Sequence, residues 1–333
     1  MNLKTIINKG IKKTPGLKQL NEHHKFNSQF SYDKRFFRKN YSHSKENKEK
    51  LGYNMLLISH SLEKGMSNKN PRRFGGKKTT ELIKMLSRYS LYSDYENDFA
   101  FINAINILRG YASFYEKMGW QESDEYKTVI NNLREYKNIK QMDVGSHTIF
   151  KKDFIKDATI DYRQFLFSRH SVREFLPKKI TDSDMEKAVE IAALSPSACN
   201  RQMCKVYYVN DKTKANKLIQ LAQGFGGFEK DTINLLVVTF NINANYMIGE
   251  RNQGWFKAGL FSMNLANALH SIGIGSCFCQ FGNTVKEEET VKRILNIPSG
   301  ERIAVFIAAG YYCDKMAIPY SPRKSLNDIY KKI

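Results

Sequence analysis

The sequence predicts an α+β domain over residues 161–333, preceded by a mostly helical N-terminal region. Three observations predict it. Before residue 160 the apolar residues recur at helical spacings, with no strong strand-like run. After Asp161, helical stretches alternate with short β-branched runs. One stretch, Gln253–Ile272, is apolar nearly all round, as a helix at the centre of a core must be. A chain of 333 residues suits about two domains.

Residues 1–45 are basic and have little periodicity, so they read as a loosely ordered arm. Residues 46–160 read as a helical extension. In it, Leu51, Met55, Ile58 and Leu62 lie on one helical face, and Gly65 is placed to stop that helix in a left-handed conformation. Asn70-Pro71 and Gly75-Gly76 mark a loop, and Thr79 or Thr80 is the expected cap of the next helix, which runs to about Leu91. Further helices are expected over Asn97–Lys117, ended by Gly119, and Ser123–Tyr136. Residues 138–160 read as a connection.

In the C-terminal part, helices are expected over Ser183–Leu194, Asp211–Gln223, Gln253–Ile272 and Thr284–Leu295. The last has Thr284 and Glu287 spaced as a capping box. Val206–Val209, Ile233–Phe240 and Arg302–Tyr311 read as strands, the latter two as buried ones.

Hydrophobic residues make up 41% and charged residues 26%, the composition of a chain that folds. Mean hydropathy is −0.51, and no run approaches the roughly 18 apolar residues a spanning helix needs. Without an apolar leader, the expected location is cytoplasmic. Five cysteines, an odd number, read as free thiols, and no C-x-x-C pair points to a metal. The formal charge of +20 invites an anionic partner. Lys and Arg outnumber Asp and Glu by 13 to 4 across residues 1–50, so the arm reads either as a solvated tail or as a contact for an anionic surface. Nucleic acid is not the expected partner, because no recognised binding module accompanies the charge.

Four segments carry candidate chemistry. Arg169, Ser171 and Arg173 place two guanidiniums and a hydroxyl within five residues, a set suited to clamping phosphate. Alone, they read more readily as a solvated basic turn. Ser195-Pro196-Ser197-Ala198-Cys199-Asn200-Arg201-Gln202 follows a helix directly. Its small residues leave backbone accessible, and Asn200 and Gln202 could read a planar heterocycle. Gly273–Gln280 carries glycines that permit close backbone approach to a ligand. Cys277 and Cys279 fall on one face of a strand there. Arg323-Lys324 adds basic charge near the C-terminus.

In order and separation these segments resemble the nitroreductase family of flavoproteins. Arg169-His170-Ser171-Val172-Arg173-Glu174-Phe175 is similar to the family's R-R-S-[VI]-R-x-[FY], and Ser195–Gln202 to its [AS]-P-S-x-x-N-x-Q. Gly273–Ser276 matches G-[LI]-G-[ST], Ile307–Tyr311 matches I-x-x-G-Y, and Arg323–Ile329 matches the closing basic segment. The resemblance covers about half the chain. It implies a mixed, mainly antiparallel sheet flanked by helices, and a homodimer with FMN at the subunit interface.

By the same resemblance, Arg169, Ser171 and Arg173 would hold the FMN phosphate and ribityl chain, completed by Arg323 and Lys324, with the His170 backbone near the flavin. Pro196, Ser197, Ala198, Asn200 and Gln202 would contact the flavin from the other subunit, and Phe278, Cys279 and Gln280 would lie along the ring. The implied activity is ping-pong hydride transfer from NADH or NADPH through flavin N5 to a small organic acceptor. No catalytic side chain is nominated, since the cofactor carries the chemistry.

Two departures bear on substrate. Lys257 stands where the family often has an acidic residue, and Met203-Cys204 replaces the family's Pro-Trp. Upstream, His60–Ser67 with Asn70-Pro71-Arg72 resembles extensions on nitroreductase-like proteins encoded with surface-polysaccharide genes. The alternatives are a flavin enzyme of the same fold with another redox reaction, such as dehalogenation or oxidation of a biosynthetic intermediate, or a cofactor-free basic binding protein.

Overall fold

A computed structural model describes residues 15–41, 46–67, 71–145, 161–222, 224–226, 228–282, 284–316 and 325–333. Its helices are α1 (Pro15–Asn40), α2 (Lys48–Met66), α3 (Gly76–Tyr89), α4 (Phe99–Lys117), α5 (Asp124–Leu133), α6 (Tyr162–Ser168), α7 (Asp182–Ala193), α8 (Lys212–Leu221), α9 (Gln253–Ser271), α10 (Val285–Leu295) and the single turn α11 (Leu326–Ile329). Its strands are β1 (Cys204–Val209), β2 (Asn234–Asn241), β3 (Ile274–Cys279) and β4 (Glu301–Tyr311). The strands form one antiparallel sheet in the order β1-β2-β4-β3. The α+β expectation holds.

The sheet has a core on each face. Leu235, Val237, Cys277, Phe306 and Ala308 pack with α8 and α10. Leu236, Val238, Phe240 and Ile307 alternate to the other face, against α7 and the central helix α9. Because β2 is buried along its whole length, it reads as an unbroken apolar run. Gly254 makes the closest approach of α9 possible: a Cβ there would lie 2.1 Å from the Phe240 ring.

The N-terminal helices build a core of their own from Leu51, Met55, Leu62, Leu82, Phe101, Tyr111 and Tyr115. Two local expectations are corrected there. Gly65 does not stop α2, which runs on to Met66; a Cβ at Gly65 would lie 2.2 Å from the Phe74 ring, so the glycine makes room for a side chain. Neither Thr79 nor Thr80 caps α3. The left-handed Gly75 precedes its first turn, and both threonine hydroxyls donate to the Gly76 carbonyl.

The span expected to be a loose arm carries the 26-residue helix α1. Tertiary contact supplies what its weak periodicity lacks. Tyr32 donates to Glu289 at 2.7 Å, Asp33 pairs with Arg302 at 2.8 Å, and the Arg302 guanidinium lies over the Tyr32 and Phe36 rings. Residues 1–14 lie outside the described residues. No helix among the described residues is long and apolar enough to cross a membrane.

Candidate functional site

The segment after α6 runs along the open edge of the sheet. Ser171 bridges Ser276 of β3, and Val172 N–H donates to the Ser276 carbonyl at 3.1 Å. Farther along, Phe175 lies opposite Tyr312, and Leu176 N–H donates to the Tyr311 carbonyl at 3.0 Å. Val172 and Phe175 are buried and anchor the segment. Two glycines let it come this close. A Cβ at Gly275 would lie 2.8 Å from the Tyr312 ring and 3.2 Å from Val172 Cβ, and one at Gly310 would lie 2.5 Å from Phe175 Cβ. Gly275 was expected to admit a ligand, but the structure gives its space to Val172 and Tyr312.

In an extended chain alternate side chains share a side, so Arg169, Ser171 and Arg173 project together. They converge on Cys277. A hydrogen bond from Cys279 comes first, and Arg173, the Ser171 hydroxyl and Arg169 then act against burial, to hold the Cys277 thiol below the ordinary thiol range. Arg169 is half-buried, and its Nε is buried without a hydrogen-bond partner. A buried guanidinium N–H with no acceptor is costly, and an anion placed there would satisfy it. His170 is exposed beside it.

Behind Arg169 stands a group that sequence reasoning missed. Ser168 Oγ donates to the Phe165 carbonyl at 2.9 Å and so accepts from His270 Nε2, 2.7 Å away. His270 Nδ1 then accepts from the Tyr312 hydroxyl at 2.7 Å. Burial first, then Arg169 and His170, hold the His270 pKa below its ordinary value, in keeping with a neutral ring. Nothing local in the sequence marks this trio, whose members lie on α6, α9 and the chain after β4.

The Ser195–Gln202 turn follows α7 and leads into β1. Cys199, Asn200 and Gln202 all have left-handed φ, near 50°, a conformation that costs a non-glycine residue of order 1 kcal/mol or more. The turn is held from within by Gln202 N–H donating to Ser197 Oγ at 2.9 Å. From below it is held by Arg201, which is buried and was not singled out in the sequence. Arg201 Nε donates to the Ala198 carbonyl at 2.9 Å, Nη1 reaches the Ala244 carbonyl, and the guanidinium grips Glu250 with two bonds of 2.8 Å. With Arg201 inside, Pro196, Asn200 and Gln202 are left exposed, and Ser197 and Ala198 half-buried. Helix α2 packs against this turn and against the neighbouring Ile242–Ala244 turn, where Asn243 Nδ2 donates to Glu49 at 2.8 Å.

On β3, Phe278 faces out, Cys279 is buried with its thiol toward the Gly224 carbonyl, and Gln280 is exposed. The structure thus brings Arg169, Ser171 and Arg173 together at β3, the strand that ends in Phe278 and Cys279 and is followed by Gln280. Pro196, Ser197, Ala198, Asn200 and Gln202 belong to the turn entering β1, on the opposite edge of the sheet, three strand spacings or roughly 14 Å away. Arg323 and Lys324 lie outside the described residues.

Residues 166–226 and 230–311 match the model of the Nitroreductase family. The C-terminal domain belongs to the nitroreductase family. A candidate NADH dehydrogenase/NAD(P)H nitroreductase of Archaeoglobus fulgidus is 26% identical over 155 residues, 46% of this chain and 86% of that protein. Among solved structures, an FMN-dependent nitroreductase from Clostridium difficile is 20% identical, covering 51% of this chain and 98% of that one, with a TM-score of 0.44. The NADPH:FMN oxidoreductase of Vibrio harveyi, complexed with NAD+, is 18% identical, covering 51% and 76%, with a TM-score of 0.43. The matched residues all lie in the C-terminal domain, and a helical region stands in front of it.

Proposed function

We propose that this nitroreductase-family oxidoreductase uses FMN to pass electrons from NADH or NADPH to a small organic acceptor. One observation carries the reading: Arg169 has a buried, unpartnered Nε in a row with Ser171 and Arg173. That row suits a phosphate monoester, because guanidiniums and a hydroxyl make short, charge-assisted bonds to its oxygens. Bound there, FMN would supply two-electron transfer between a nicotinamide donor and the acceptor in alternate half-reactions.

The chain's own residues bind and orient. Arg169, Ser171 and Arg173 hold the phosphate end, joined by Arg323 and Lys324, with His170 alongside. Phe278, Cys279 and Gln280 lie along the ring. His270, kept neutral between Ser168 and Tyr312, fixes the base on which Arg169 stands.

The second set of contacts, Pro196, Ser197, Ala198, Asn200 and Gln202, comes from a partner subunit in this reading. Two facts support the homodimer. The two half-sites lie on opposite edges of one sheet. The central helix α9, otherwise a core helix, exposes Trp255, Phe256 and Met263, an apolar strip that a second copy would cover.

The test is an absorption spectrum of the purified protein, with added FMN if needed, followed by anaerobic NADH or NADPH. A flavin spectrum that bleaches with a nicotinamide supports the reading. A protein that takes up no FMN refutes it, and one that binds FMN but is not bleached refutes the nicotinamide donor.

A further inference from the structure

Between the Ser195–Gln202 turn and α9 lies a pocket of about 120 Å³. Met203, Cys204 and Phe261 give it apolar walls, and Ser197, Gln202 and Lys257 give it polar ones. Its charge balance is one-sided. Lys257 is half-buried, its ammonium 4.8 Å from the centre of the Phe256 ring, and among the described residues no carboxylate lies within ion-pair distance of it. Glu250, three residues before α9, is committed to Arg201. The Cys204 thiol does not supply a countercharge, since burial pushes it up to about 12 despite Lys257. The hydroxyl of Ser197 accepts from Gln202 N–H and keeps its own proton for another acceptor.

An ammonium and a hydroxyl donor above an apolar floor form a receptor for a monoanion on a hydrophobic body. A cavity of roughly 150 Å³ holds a benzene ring, so this somewhat smaller pocket suits the charged end of a ligand whose ring or chain extends through the open mouth. We propose that the pocket takes the carboxylate end of the acceptor, making a small organic carboxylate the preferred substrate class. This rests on the flavin reading above, because the turn that forms one wall carries the proposed flavin contacts Pro196, Ser197 and Gln202.

The test compares 4-nitrobenzoate with nitrobenzene as acceptors for the wild-type holoenzyme, Lys257→Met and Lys257→Arg. The expected result is a roughly tenfold rise in the ratio of the two KM values in Lys257→Met, restored by Lys257→Arg, with the effect in KM and little in kcat. An unchanged ratio in Lys257→Met overturns the proposal. Calorimetric binding of benzoate, which cannot be reduced, gives a second readout. Wild type should bind it about tenfold more tightly than Lys257→Met, and equal binding overturns the proposal. A protein that reduces neither nitro compound but loses benzoate affinity in Lys257→Met counts against the flavin reading and for the anion pocket.

Discussion

At the scale of single residues, the site depends on side chains with distant partners. Arg201 is one residue of a polar turn in sequence, yet it is buried and bound to Ala198, Ala244 and Glu250. Its role was not legible because each partner except Ala198 lies more than forty positions away. Arg169, Ser171 and Arg173 could be grouped from sequence because one extended run carries all three and needs no tertiary contact to bring them near one another. His270 adds a pH dependence. Its folded pKa lies below 6.5, so the unfolded chain takes up the proton first as pH falls. The stability it contributes is complete above about pH 6.5 and is lost as pH drops toward the depressed folded value. In flavin-free protein, urea midpoints between about pH 5 and 8 should therefore fall less on acidification in His270→Gln than in wild type. Equal slopes would show that His270 is not held neutral.

At the scale of elements, helix and strand identities were legible wherever one periodicity ran for several turns, as in α4, α9 and β2. The roles of glycines were not. Gly65 and Gly275 read as a helix stop and a ligand approach, but each makes room for a side chain distant in sequence, Phe74 for one and Tyr312 for the other. Gly310 makes the same point on β4. A methyl there would meet Phe175 Cβ and lever the clamp segment off the sheet edge. Gly310→Ala should cost about 1–3 kcal/mol of stability. It should also weaken FMN binding in protein that remains folded, as judged by circular dichroism and flavin fluorescence. Unchanged FMN affinity would separate the clamp from its seat on β4.

At the scale of the whole molecule, the N-terminal helices do more than precede the domain. Helix α2 backs the turn that carries Pro196–Gln202, and α1 covers Arg302. Only the contacts revealed α1, since its mean hydropathy is low and, of its scattered apolar residues, Phe36 and Phe37 pack on the core of the C-terminal domain. The proposed homodimer predicts a particle of twice 38.6 kDa by light scattering. Met263→Glu, on the exposed face of α9, should give monomers that fold but hold FMN weakly, because the proposed half-sites of one chain lie on opposite sheet edges. A monomeric variant with full FMN affinity would place the whole site within one chain.

The most direct test of the central claim is FMN binding by Arg169→Ala, with Arg88→Ala as control. Arg88 also carries a guanidinium, but in an exposed 3.0 Å ion pair with Glu46 on the N-terminal helices. Losing a charge-assisted phosphate contact should cost about 2 kcal/mol, roughly thirtyfold in Kd, while the control binds as wild type does. Equal dissociation constants for the two variants would contradict the assignment of Arg169, Ser171 and Arg173 as the phosphate clamp.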